Sequence, residues 1–464
     1  MPSSPSGDLP DRSVPVWRRG DPVALAAALA LIAVAAVVGH RLNARGVPIV
    51  LPSPPLLAAW YPHVGWGSPL AVICVLVGLR LQRRAASLPR RRLWVAGWLL
   101  NLAWMCSLTL VDGLQRGWVS VLQDPNEYLH DLPRIAGPVS FLSTFTDYIA
   151  FSPTVDGTMV WTTHVAGHPP LATLVFWGLA RLGLPGGFWA GALCILVGSS
   201  VSVALPATLA ELGAGAAARR LVPFVALFPG AVWMAVSADG LFAGVALSGL
   251  ALVTRGAVRG RLISAAVGGV LLGTAIFLSY GLVVFGIAVV MVAVVTARRY
   301  GFRRSLRPWV AATVGCAAVA ALHLAFGFNW LTGLAQLRIR YYQGIASDRP
   351  FSYFVYADLA AWLVSCSPLL TLGVVRALAV LVRRPRRPYA QDHLVALLAL
   401  CGVAAAVVAD LSGLSKAETE RIWLTFGATA YAGLALLRGR RAAWVLLACA
   451  GWALLVNHLL STGW

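Results

Sequence analysis

Charge is what this sequence lacks most. Only 12% of its 464 residues are Asp, Glu, Lys or Arg, against roughly 25% in a soluble globular chain. Apolar residues reach 59% and the mean hydropathy is +0.77. These values exclude an ordinary soluble enzyme, a disordered tail and a fibrous protein. Cysteine is scarce in any patterned form. Cys74, Cys106, Cys194, Cys316, Cys366, Cys401 and Cys449 all lie in apolar runs, and none forms a CxxC. They read as small packing residues, with no disulfide framework or zinc site indicated. Acids are the scarcer charge, 17 against 37 basic residues, for a net charge of +20. The basic residues sit in short clusters between apolar segments, as orientation in a bilayer requires, so nucleic acid is not an expected partner.

What the chain has instead is apolar length. A spanning helix needs about 20 mostly apolar residues. The candidates are 24–42, 66–82, 93–112, 169–184, 188–210, 219–236, 239–254, 262–278, 280–297, 308–326, 358–381, 393–411, 421–437 and 443–460. The expected fold is all-α, a polytopic transmembrane helical bundle. With the N-terminus cytoplasmic, all arginine clusters fall on the cytoplasmic side only if 169–184 does not cross. That segment is short and opens on His168-Pro169-Pro170. The expectation is therefore about thirteen crossings of the cell membrane, one non-spanning interfacial helix, and the C-terminus outside. The same threading places most of the acids outside, although they had no part in setting the orientation.

The organisation follows: a cytoplasmic tail (1–23), two accessory helices (24–92), a core (93–326) with a large outer loop (113–187), a second outer loop (327–357), and C-terminal helices (358–464) with a third loop (412–420). The arginine-proline run 383–388 reads as a cytoplasmic anchor on anionic lipid.

The candidate chemistry lies on the outer face. Asp112 ends the third helix, where the negative end of the helix dipole does not favour an acid. Asp124, Glu127 and Asp131 follow in Asp124-Pro125-Asn126-Glu127-Tyr128-Leu129-His130-Asp131. Asp124 and Glu127 fit a capping box. Alternatively, one carboxylate takes a proton from an attacking hydroxyl. Glu127 and Asp131, four apart, share one cleft on a short helix in that reading, with Tyr128 beside a sugar. His164 and His168 have metal-ligand spacing, but Gly167 and the prolines favour a turn. Asp239 reads first as an N-cap. The second loop mixes Arg338, Arg340 and Tyr341 with other aromatics, which suits phosphate and sugar or an interfacial belt. In the third loop Ser415 and Glu418 fit a capping box, and Lys416 and Glu420 an i,i+4 pair. Arg421 stands at the mouth of the next helix. Lys416 is the chain's one lysine.

These features resemble the GT-C superfamily of integral-membrane glycosyltransferases, which includes protein mannosyltransferases, the aminoarabinose transferase of lipid A, and mycobacterial arabinosyl- and mannosyltransferases. The resemblance covers roughly residues 93 to 437. It rests on the acid-bearing first loop, the His168-Pro169-Pro170 entry to a non-spanning helix, the basic turn at 211–220, and the basic late loop at 416–423. It implies a polyprenyl-phosphate sugar donor, a lipid or cell-envelope glycan acceptor, and inversion by direct displacement. Asp112 or Glu127 would be the base, and Arg338, Arg340, Lys416 and Arg421 would hold the phosphate. Asp124, Tyr128, Asp131, His168, Asp239, Tyr341 and Glu420 would line the substrate site. The resemblance names no certain cofactor and leaves a divalent metal open. The chain departs from the family in the spacing of Asp124 and Glu127, which many members replace by adjacent acids. It also has two extra helices, and no soluble C-terminal domain to hold a polymer acceptor. The alternatives are a flippase of a lipid-linked sugar and a non-catalytic membrane protein.

Overall fold

A computed structural model describes residues 20–153, 156–383 and 389–462. The tail 1–19 and the anchor residues 384–388 lie outside the described residues. The chain is nearly all helix. It opens with α1 (Gly20–Ala44), a short strand β1 (Ala58–Trp60), α2 (Gly67–Arg84) and α3 (Arg90–Thr109). The first long loop carries the short helices α4 (Tyr128–Asp131), α5 (Pro138–Thr144) and α6 (Thr163–Gly167), then α7 (Leu171–Arg181). The bundle continues through α8 (Gly187–Gly198), α9 (Val201–Glu211), α10 (Gly215–Ala226), α11 (Ala231–Met234), α12 (Ala238–Arg259), α13 (Leu262–Leu278), α14 (Gly286–Tyr300) and α15 (Phe302–Ala325). After α16 (Trp330–Gln343) come α17 (Phe351–Cys366), α18 (Leu370–Arg383), α19 (Gln391–Leu411), α20 (Thr419–Ile422), α21 (Leu424–Ala430), α22 (Gly439–Leu459) and β2 (Leu460–Thr462).

Seven helical stretches among the described residues are long and apolar enough to cross a bilayer, or eight if the bent pair α17–α18 is one span. This agrees with a helical membrane protein. Several expected spans are not single straight helices. The 219–236 segment breaks at Pro229-Gly230 between α10 and α11. The 358–381 segment bends by 103° between α17 and α18, with Ser367 in the left-handed region at φ 71°. The 421–437 segment is α21 followed by a 3-10 turn. The first two breaks free backbone carbonyls that lipid cannot satisfy, and neighbouring side chains take them up. Asn101 donates to the carbonyls of Val225 and Ala226 (3.2 and 2.9 Å), and Trp104 Nε1 to that of Phe228 (3.1 Å). Trp452 Nε1 donates to the Val364 carbonyl (2.8 Å). The helix α7, at 11 residues, is about 16 Å long. That is well short of the roughly 30 Å hydrocarbon layer.

Helices pack through small residues, which let backbones approach where the hydrophobic effect gives no drive. On α13, Gly268 faces Val253 of α12, while Gly269 and Gly273 face Ala312 and Cys316 of α15. The basic turns meet one another at one end. Glu211 takes Arg259 (2.7 Å) and Arg90 (3.3 Å), Asp392 takes Arg438 (3.2 Å), and Asp21 is held by Arg376 (3.0 Å) and Arg441. The first, second and third loops meet in a separate group, described below. The two-stranded antiparallel pair β1–β2 joins the approach to α2 with the end of α22.

A Cβ at Gly269 would lie 1.9 Å from the Ala312 carbonyl oxygen. Gly269→Val therefore forces α13 and α15 apart. The expected loss is about 1–3 kcal/mol, read as a lower thermal midpoint in detergent.

Candidate functional site

The centre of the loop cluster is Arg421, in α20, whose side chain is 4% exposed. Three residues distant in sequence and one from its own loop supply its partners. Nη1 lies 3.1 Å from Glu127 Oε1, and Nε 3.2 Å from Asp239 Oδ2. Nη2 lies 2.9 Å from His164 Nδ1, and Glu418 Oε2 stands at the rim, 4.0 Å away.

Local sequence explains how each is presented. Glu127 occupies the N-cap position of α4 in extended backbone, with no capping bond from its side chain. The expected capping box is therefore absent. Asp124 instead accepts from the Asn126 backbone and side chain (2.8 and 3.0 Å), turning the chain so that Glu127 faces inward. Asp239 is not the cap of α12. Ser237 is, accepting from the Asp239 backbone, and its hydroxyl donates to Asp239 Oδ2 (3.3 Å), the oxygen that also meets Arg421. The Ser415–Glu418 capping box does not form either. Ala417 and Glu418 both adopt left-handed backbone, φ 82° and 64°, a strain of about 1–3 kcal/mol per residue. Asp358 holds them there. It accepts from the Ala417 N–H (2.9 Å), and its carbonyl accepts from the Thr419 hydroxyl (2.7 Å).

Three carboxylates thus face one guanidinium with little water. Burial pushes Glu127 up to about 7 against the opposing pull of Arg421, and Asp239 adds to the rise. Burial and the Arg421 charge hold His164 well below its ordinary value, so it stays neutral and accepts from Arg421. The balance of surrounding acids raises Arg421 despite its burial.

The remaining candidates divide clearly. Asp131 does not share a cleft with Glu127. It is fully buried, takes Arg134 (2.8 Å) and the Thr162 N–H (2.9 Å), and ties the loop to itself. Tyr128 is 2% exposed and packs against His164, His168 and Phe176, so it offers no face to a sugar. Burial, then the charges of Asp239 and Glu127, raise its phenol. His168 is half-buried, with Nδ1 on the His164 carbonyl (2.9 Å). That arrangement does not suit a metal pair, and among the described residues no group of three or more His, Cys, Asp or Glu could hold a metal.

The expected phosphate clamp is largely taken up elsewhere. Lys416 Nζ donates to the Ala346 and Arg349 carbonyls (2.8 and 2.9 Å), not to Glu420, and its N–H donates to the Tyr341 hydroxyl (2.7 Å). Arg340 lies over the Phe151 ring at 3.7 Å, while Gln343 bonds both backbone groups of Phe151 at 2.8 Å. Arg338 is exposed. Glu420 is fully buried, accepts from the Leu57 N–H (3.2 Å), and is pushed up to about 7 chiefly by that burial.

Asp112 occupies a separate place. It lines a cavity of ≈240 Å³ with Arg116, Ser120, Asp124, Trp233 and Asn457. Arg116 Nη2 lies 2.7 Å and His63 Nε2 3.2 Å from its Oδ1. Sequence reasoning missed three members of these groups. His164 was read through metal spacing and Glu418 through capping. His63, on the connection before α2, carries no motif.

No family model matches the chain, and neither does any curated protein.

Two outcomes follow. Arg421→Met leaves Glu127 and Asp239 without their counter-charge, a loss of about 3–5 kcal/mol readable by thermal unfolding in detergent. Glu127 and Glu420 bind a proton more tightly folded than unfolded, so the folded state carries more protons between their ordinary range and about 7. Stability is then full at the acidic end and falls as pH rises through 7. Melting at pH 6 should exceed that at pH 8, and Glu420→Gln should flatten the difference.

Proposed function

We propose that this chain is a membrane glycosyltransferase of GT-C type that moves a sugar from a polyprenyl-phosphate donor to a lipid or cell-envelope glycan acceptor. The observation that carries the reading is the cavity at the end of α3, where Asp112, held by Arg116, faces open space with Asp124 and Trp233 on its wall. A base must reach the hydroxyl it deprotonates. Asp112 has that access, and Glu127, closed in against Arg421, does not. Asp112 is therefore the base, and Glu127, Asp239 and Arg421 position the loops around it.

In this mechanism the acceptor hydroxyl gives its proton to Asp112 as its oxygen attacks the anomeric carbon. The bond from that carbon to the phosphate oxygen breaks on the opposite face, inverting the centre. The departing phosphate needs its charge met, and Arg338 is the exposed cation of the second loop available for it. The reading includes about thirteen crossings of the cell membrane, with the N-terminus cytoplasmic, the C-terminus outside and α7 lying in the outer interface. The shortness of α7 and the separation of the basic turns from the acid-bearing loops support that threading.

A transporter of a lipid-linked sugar is the second reading, favoured by one feature. The α17–α18 pair is a broken helix bent by 103°, and transporters place substrate at such breaks.

The test uses purified protein, radiolabelled polyprenyl-phosphate sugars and membrane lipid extract. Asp112→Asn should lower transfer at least about a hundredfold, with Glu127→Gln retaining more activity than Asp112→Asn. Full transfer by Asp112→Asn would remove Asp112 as base. Headgroup translocation in proteoliposomes without donor consumption would favour the second reading.

A further inference from the structure

The accessory segment before α3 does more than lengthen the bundle. Between β1 and α2 the chain runs close over the end of α3. A Cβ at Gly65 would lie 2.2 Å from the Val111 carbonyl oxygen, and one at Gly67 1.9 Å from that of Ser107. The Gly67 N–H donates to the Leu110 carbonyl (3.1 Å). On the other side the β1–β2 pairing continues past the strands, through Tyr61 N–H to the Leu459 carbonyl and His63 N–H to the His458 carbonyl, both 2.9 Å. His63 is thus fixed by its backbone beside Asp112.

Its ring is equally constrained. Nδ1 lies 2.7 Å from the Tyr61 carbonyl oxygen, an acceptor only, so Nδ1 carries the proton of that bond. In the neutral ring Nε2 then faces Asp112 Oδ1 at 3.2 Å with a lone pair. Two acceptors stand opposite each other, and one added proton satisfies both. The other charged or titratable groups around them are Arg116, bonded to the same Oδ1 and stacked over Tyr61 at 4.5 Å, and His458, whose ring lies 6.5 Å from that of His63. Asp124 lines the same cavity. Both side-chain contacts of Asp112 use Oδ1, and among the described residues Oδ2 has no bonded partner, which leaves it for a substrate hydroxyl.

We infer that His63 is a positioning residue for Asp112, and that the two form a pair built to take up one proton from an acceptor hydroxyl. The inference rests on the glycosyltransferase reading for its substrate. The acceptor O–H bond breaks, the proton moves to Asp112 Oδ2, and half a turn of the carboxyl brings that O–H against His63 Nε2. The new bond from oxygen to the anomeric carbon forms as the phosphate leaves with its electron pair. Without Nε2 the proton is held by the carboxylate alone.

The experiment has two arms on the full-length protein in detergent. The first records ring-nitrogen NMR of protein labelled with [15N]histidine at pH 8. The His63 signal is identified among the eight histidines by its loss in His63→Asn. The expected result is a proton on Nδ1 and none on Nε2. The second arm measures transfer from radiolabelled polyprenyl-phosphate sugars to membrane lipid extract. His63→Asn keeps an amide donor near the Tyr61 carbonyl but removes the Nε2 acceptor. His63→Gln puts an amide, which takes up no proton, in a different geometry and guards against a folding defect of the first. Both should lower kcat about ten- to a hundredfold with KM little changed, because a group acting on the proton in flight affects the transition state more than binding. A proton already on Nε2 overturns the inference, as does unchanged kcat in both variants of an active enzyme. A wild-type protein inactive with every donor overturns the glycosyltransferase reading, and this inference with it.

Discussion

Arg421 carries a guanidinium into a place from which water is almost excluded, and the loops around it are arranged to make that tolerable. A buried cation is costly unless paired and bonded on every side. Here the partners come from the first loop (Glu127 and His164), from the start of α12 (Asp239) and from the rim of the arginine's own loop (Glu418). None of these segments reaches the others through continuous secondary structure. The single charge is what fixes their mutual positions. The strained backbone at Ala417 and Glu418, held by Asp358, is the local cost of aiming α20 inward.

This enclosure separates structure from chemistry at the same end of the molecule. The Arg421 cluster is full of mutually satisfied groups and offers no room for a substrate. The cavity beside α3 is the reverse, with a carboxylate braced on one oxygen and open on the other. Its walls come from the first loop and from the end of the described chain, where Asn457 and Ser461 belong to α22 and β2, while His63, which follows β1, stands against Asp112. Arg116 joins these parts, touching Asp112, Tyr61 and Ser461. An accessory segment and a terminal strand thereby become part of the site.

The bundle beneath obeys the accounting that lipid imposes. Helix breaks at 227–230 and near Ser367 would leave carbonyls unsatisfied, and Asn101, Trp104 and Trp452 supply the missing donors. Glycines on α13 face two neighbours at once, so its backbone sits against both α12 and α15. These devices place the ends of α3 and α12, and so Asp112 and Asp239, at fixed positions.

The helical membrane character of the chain was legible in the sequence, because apolar length and charge scarcity act residue by residue and need no partner. The shortness of the helix after His168-Pro169-Pro170 was legible for the same reason. The structure brings three of the candidates, Glu127, Asp239 and Arg421, together, but not in the groups that local spacing suggested. Capping boxes and i,i+4 pairs describe what a short segment does alone, whereas Glu127 is drawn away by Arg421 and Lys416 by carbonyls of the second loop. The breaks in 219–236 and 358–381 likewise arise from neighbours that can satisfy a broken backbone, which hydropathy does not register. The sequence by itself determined the solvent this protein folds in. Only the tertiary structure decided which carboxylate is locked against Arg421 and which stands open beside His63, because a charge buried in apolar surroundings selects its partners across space, whatever their order in the chain.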